Sequence, residues 1–163
     1  MLDPYNPAGS TVHIRFDTSK KLWQTDRRHC HVNWVVCDSD WRQSSAAPSR
    51  LTNVRAYVKN QGFGFEVPHL LGATPKKDLP DFIVRVDDCH GNDDLLNLVV
   101  EIKGYRGEDA KDKANTMDAY WVPGVNNLGM FGRWAFAEFK ESVYAIAANF
   151  DALIERAVAG NAV

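Results

Sequence analysis

Two stretches, LPDFIVRV (79–86) and LNLVVEIKG (96–104), constrain the fold more than any other part of the chain. Each is a short apolar run of strand-forming residues with charges set into it. The segment DDCHGNDD (87–94) between them is rich in Asp, Asn and Gly and reads as a turn. The two runs are therefore expected to pair as antiparallel strands. Side chains alternate faces along a strand, so Glu101 and Lys103 project from one side, while Val100 and Ile102 point into a core. Leu98 is assigned to the charged face. Pro80 pushes Leu79 into an extended conformation and leaves Asp81 at the start of its strand. In an antiparallel hairpin that start lies beside the end of the second strand. Charge inside an apolar strand is costly unless it is paired or used. The expectation is two carboxylates and an ammonium converging at one end of a sheet.

With 163 residues the chain is long enough for one domain with its own core. Its 45% hydrophobic and 25% charged content is that of a soluble globular protein. The net charge of −2 gives no global basic excess, so any nucleic-acid claim must rest on local features. No apolar run approaches the roughly 20 residues of a membrane span. MLDPYNPAGS lacks the basic and apolar blocks of a signal peptide, so no membrane partner and a cytoplasmic location are expected. Three irregularly spaced cysteines (Cys30, Cys37, Cys89) fit reduced thiols better than a disulfide framework.

The remaining chain reads as an α/β domain spanning 1–163, with a mostly antiparallel sheet and helices late in the sequence. Residues 1–10 form an irregular lead-in. Alternation predicts a strand at 11–18, and strand-forming residues predict a second at 31–38. The segments 54–60 and 63–71, punctuated by Gly62 and Gly64, suggest a hairpin. A helix is expected over 107–122, a loop over 123–132 and a strand over 133–139. The strongest helical stripe is Ile146, Phe150, Leu153, Ile154 and Ala157 within 143–159. Residues 42–53 are polar and small, with Pro48 inside them and no clear period.

Paired carboxylates suit a hard divalent ion. Mg2+ takes one or two of them plus water and phosphate oxygens. A nearby lysine can orient an attacking water or offset charge in a transition state. The plain alternative is that Glu101 and Lys103 are solvated charges of an ion pair on an edge strand.

Pro80-Asp81 followed by Glu101-Ile102-Lys103 is the PD-(D/E)XK nuclease signature. The stretches AYVKNQGFGFEVPHLLG, LPDFIVRV, LVVEIKGYRGEDAKDKANTMDAYWVPGVNNLG and GRWAFAEF together resemble the C-terminal nuclease region of type III restriction subunits. The resemblance covers about residues 5–155 and is strongest over 54–140. It implies a restriction-endonuclease-like fold, with a mixed, mostly antiparallel sheet flanked by helices, and Mg2+-dependent cleavage of double-stranded DNA. It also implies that Asp81, Glu101 and the carbonyl of Ile102 hold the metal and that Lys103 acts at the attacking water. In such proteins a helicase-type ATPase precedes the nuclease, and a modification methyltransferase subunit is the partner. Here no phosphate-binding loop of the type G-x-x-x-x-G-K-[ST] occurs, so no ATPase domain is expected within these 163 residues, which read as a fragment, a separate reading frame or a trimmed chain.

Family members also carry an acidic amphipathic helix after the residue matching Trp41, where this chain has RQSSAAPSRLTN (42–53). A local frameshift there would leave an acidic amphipathic helix readable in another frame. The alternative to an active enzyme is a catalytically silent remnant that keeps only DNA or partner binding.

Other residues carry weaker signals. Glu66 is the candidate for a substitute ligand, against an ordinary hydrogen-bonded or solvent-facing glutamate. Lys76, Lys77, Arg106, Lys111 and Lys113 would touch DNA phosphates, although Glu108, Asp109 and Asp112 dilute any positive field. His29, Cys30, His31 and Cys37 form only one cluster, and strand packing accounts for them better than zinc. Trp121 and Trp134 sit in an aromatic, glycine-rich stretch that would face DNA or, more simply, anchor a core.

Overall fold

The computed structural model describes residues 11–36, 53–71, 73–102 and 114–139. In chain order its strands are β1 (Leu22–Gln24), β2 (Trp34–Val36), β3 (Val54–Lys59), β4 (Val67–Leu71), β5 (Thr74–Asp78), β6 (Phe82–Val86), β7 (Leu96–Ile102) and β8 (Trp134–Phe139). Four of them form a central sheet in the order β3-β6-β7-β8. β6 runs antiparallel to both β3 and β7, whereas β8 runs parallel to β7. The architecture is mixed α/β with a mainly antiparallel sheet. A parallel neighbour needs a long crossover. The described part of that crossover contains a π-turn, Met117–Trp121, continuing into helix α1, Val122–Leu128.

Both faces of the central sheet are covered. On one, Phe82, Val84, Val86, Leu96, Leu98, Val100, Ala135 and Ala137 pack with Val54, Tyr57 and Cys30. On the other, Val99, Trp134, Ile83 and Phe136 meet Val67, Met117, Val125, Phe65 and Trp121. Double coverage explains why β6 and β7 read as nearly unbroken apolar runs. Phe65 stacks on Trp134 with centroids 5.8 Å apart, and Trp121 meets both rings edge-on. The Trp134 indole N–H donates to the Phe131 carbonyl at 2.8 Å. Both tryptophans therefore anchor this core.

The β6–β7 hairpin forms in the expected register, with Phe82 opposite Val100 and Val86 opposite Leu96. Leu98 corrects the face assignment: it packs with Leu96 and Val100, away from Glu101, as the two-residue period requires. Other expectations also change. The alternation at 11–18 makes no strand, because no chain among the described residues pairs with it. Thr11–His13 is a single 3-10 turn closed by Ile14 N–H to Thr11 O, and Val12 and Phe16 stay exposed. Among the described residues of 31–38, Trp34–Val36 is the extended part, and its partner Leu22–Gln24 carries too short a pattern to stand out.

The hairpin expected between 54–60 and 63–71 is absent. β3 pairs with β6, and β4 pairs with β5. Asn60 explains the divergence. Its side-chain amide donates to Phe65 O at 2.7 Å and accepts from Phe65 N–H at 3.2 Å, folding the loop onto itself. Gly62 and Gly64, at φ 67° and 76°, supply the left-handed turns this needs.

The loop expected at 123–132 is helical as far as Leu128. Pro123 lies in the first turn of α1, directly after the π-helical turn. Gly129, left-handed at φ 65°, ends the helix. Asn126 then ties α1 to β8 through two hydrogen bonds with the Trp134 backbone, at 2.9 and 2.8 Å. The expected helix at 143–159, the lead-in 1–10 and residues 42–52 lie outside the described residues.

Candidate functional site

Asp81 is pinned from both sides before its strand begins. Its carbonyl accepts the Asn60 N–H at 2.9 Å, which joins it to the end of β3. Its carboxylate Oδ2 accepts the Ile102 N–H at 2.7 Å, which joins it to the end of β7. The register that places Phe82 against Val100 places Asp81 against Glu101 one step further out. β7 and β8 pair Glu101 with Glu138. Paired residues share a face of the sheet, and neighbouring strands run roughly 5 Å apart. Asp81, Glu101 and Glu138 thus form a row of carboxylates across three adjacent strands.

One pleat inward on the same face, the register places Ile83, Val99 and Phe136 in a matching apolar row. Val99 is fully buried. The carboxylates therefore stand at the rim of an apolar core rather than in open water. Glu101 and Glu138 each keep one carboxylate oxygen, Oε2, out of contact with solvent. Carboxylates set at one end of a sheet can share a cation. Among the described residues no three His, Cys, Asp or Glu side chains are drawn together as a preformed metal cage. Mg2+ needs no such cage, because one or two carboxylates and water satisfy it. The hard oxygen donors of Asp81 and Glu101 fit that requirement.

Glu138 was missed by sequence reasoning. Its only local signal is one acid in WAFAEF, and it reaches Glu101 through a parallel register set by the crossover. His69 and Asp78, buried polar residues of the β4–β5 hairpin, were missed as well. Glu66 ion-pairs with Lys77 at 2.5 Å across that hairpin, so the structure joins two residues given separate roles. Lys76 is exposed opposite His69. Lys103, Arg106, Lys111 and Lys113 lie outside the described residues.

Cys30 is buried beside Tyr57, and that burial pushes its thiol up from the ordinary value. His29 is held by Asp26, Nδ1 to Oδ2 at 2.7 Å. These positions serve packing and a local turn, while Cys37 falls outside the described residues.

A separate cluster fastens the turn after β6. Arg133 donates to both carboxylate oxygens of Asp88, at 2.6 and 2.7 Å, and to Asp94 at 2.9 Å. The Asp88 side chain is only 1% exposed. The Arg133 guanidinium holds the Asp88 carboxyl below its ordinary value. This network closes the β6–β7 connection and leaves Asp81 and Glu101 at the opposite end of the hairpin.

Among the described residues no helix is long and apolar enough to cross a membrane. No family model, curated protein or solved structure matches the chain, so what is proposed for the carboxylate row rests on its own geometry.

Proposed function

We propose that this chain is a Mg2+-dependent DNA endonuclease domain with a restriction-endonuclease-like fold, similar to the nuclease region of type III restriction subunits. The observation that carries the reading is the meeting of Asp81 and Glu101 across β6 and β7, with the Asp81 carboxylate bonded to the Ile102 N–H at 2.7 Å. In this reading Asp81, Glu101 and the Ile102 carbonyl bind the metal. Mg2+, when bound, supplies Lewis acidity toward the scissile phosphate. The Lys103 ammonium orients the attacking water and offsets charge as the phosphodiester opens. Glu138 adds a third carboxylate beside Glu101 and strengthens cation retention. Lys76, Arg106, Lys111 and Lys113 contribute sequence-independent phosphate contacts. A helicase-type ATPase region and a modification methyltransferase subunit are the proposed partners, and the cytoplasm the proposed compartment.

The test is conversion of supercoiled plasmid to open circles with Mg2+ or with chelator, comparing wild type and Lys103→Ala. Cleavage that needs Mg2+ and is lost in the variant supports the assignment. Equal cleavage by both proteins would refute the assigned site. A folded wild type that binds DNA without nicking it would instead be the silent remnant.

A further inference from the structure

Glu138 stands level with Glu101 because β8 holds one register against β7, with Trp134 opposite Asn97 and Glu138 opposite Glu101. A one-residue slip of β8 would turn every side chain to the wrong face. A two-residue slip keeps the faces. On one side it exchanges Ala135 for Ala137, which are buried in the same cluster. On the other it exchanges one aromatic ring, Trp134, for another, Phe136. Sliding β8 inward by two sets Glu138 beside the fully buried Val99 and strands a charge in the core. Sliding it outward carries Glu138 roughly 7 Å beyond Glu101 and out of the carboxylate row.

Backbone contacts at the start of β8 oppose that outward slip poorly. The Arg133 carbonyl accepts from the Asn97 N–H at 2.9 Å and from the Asn97 side-chain amide at 3.1 Å. Asn126 bonds the Trp134 N–H and carbonyl at 2.8 and 2.9 Å. The backbone pattern of a strand repeats every two residues, so a chain shifted by two offers equivalent groups again.

The Arg133 side chain is different. Its guanidinium donates to both Asp88 carboxylate oxygens at 2.6 and 2.7 Å and to Asp94 at 2.9 Å. An outward slip would put Phe131, which has no charge, where Arg133 stands. The acceptors are held from the other side of the sheet. Asp87, next to Asp88, bonds Asn53 O through its N–H at 2.8 Å, and its carboxylate pairs with Arg55 of β3 at 2.5 Å. The guanidinium fork is therefore specific to one register.

We propose that Arg133 is a positioning residue for the carboxylate row: its fork on Asp88 and Asp94 sets the β8 register that brings Glu138 to Glu101. The proposal rests on the nuclease reading for what Glu138 does there, and on the geometry of β8 alone for how Glu138 is placed.

The experiment reads register and metal binding separately. Interstrand backbone NOEs in the isotope-labelled full chain, recorded in chelator, report the β7–β8 register. Wild type is expected to show one register, with Glu101 beside Glu138. Arg133→Ala should add a second set of β8 contacts displaced by two residues. Arg133→Lys keeps the charge but not the fork, so its second set should be smaller, and it carries the test if the alanine variant does not fold. Mn2+ binding, followed by its paramagnetic resonance signal, then links register to the site. Arg133→Ala should weaken Mn2+ binding about tenfold, as Glu138→Gln does, and should add nothing once Glu138→Gln is in place. One wild-type register in the Arg133 variants would overturn the proposal, even where their melting temperature falls. So would a loss of Mn2+ affinity that persists undiminished beside Glu138→Gln. A wild type that does not bind Mn2+ would refute the metal reading, while the NOEs still decide the register.

Discussion

Asp81 carries two roles that substitution can separate. One is structural: its carboxylate accepts the Ile102 N–H. The other, in the nuclease reading, is to bring negative charge to a cation. Asp81→Asn keeps an oxygen acceptor and removes the charge, so thermal stability should hardly move while Mg2+-dependent cleavage falls at least about 100-fold. Asp81→Ala also leaves the Ile102 N–H unbonded and should cost about 1–2 kcal/mol in urea unfolding. A pair of variants that lose stability equally would contradict this division.

Arg133 makes the complementary case at the far end of the hairpin. Arg133→Ala removes two hydrogen bonds from the Asp88 carboxylate, leaving the His90 ring at 3.1 Å, and should cost about 2 kcal/mol. Asp88 has its folded-state value depressed below the ordinary 3.8, so its contribution is present above that pH and is lost as pH falls through the folded value. The urea-midpoint gap between wild type and Arg133→Ala should therefore narrow on acidification below pH 3.8. A constant gap would show that Arg133 acts through something other than the charge on Asp88.

At the scale of elements, what was legible followed from local chemistry. An Asp-, Asn- and Gly-rich turn between two apolar runs determined the β6–β7 hairpin and put Asp81 beside Glu101. Pairings fixed by distant partners were not legible. β1 is three residues long and gains meaning only against β2. β3 turns away from β4 because one asparagine side chain reorganises the loop, which no periodicity records. Pro123 was read as a helix end, although the helix continues from the preceding π-helical turn as far as Leu128. His69 was equally silent. It is 5% exposed on β4, and both ring nitrogens are buried without a hydrogen-bond partner among the described residues. Replacing an unsatisfied buried polar group with an apolar one of similar size is neutral or stabilising. His69→Leu should accordingly match wild type or gain about 1 kcal/mol in denaturant unfolding. A clear loss would mean that the imidazole has a partner in solution.

Across the whole molecule, the sheet is buried on both faces, and the acids gather where one of those apolar faces ends. That placement explains how charged residues occur in core strands without disrupting them. It also brings in Glu138, which only the parallel β7–β8 register reveals. Glu138→Gln should slow cleavage about tenfold, less than Asp81→Asn, because a carboxylate that supports cation retention is less critical than one that ligates. Single-turnover rates on a short duplex would order the two variants, and a larger loss from Glu138→Gln would reassign the ligands.

The central claim is that Asp81 and Glu101 work as one unit. The most direct measurement is a double-mutant cycle on single-turnover cleavage, using Asp81→Asn, Glu101→Gln and the two combined. Residues that act as a unit are strongly non-additive, because losing either already disables the site. The expected result is a double variant no slower than the poorer single variant. Losses that multiply, or a single variant that cleaves at the wild-type rate, would contradict a shared metal site.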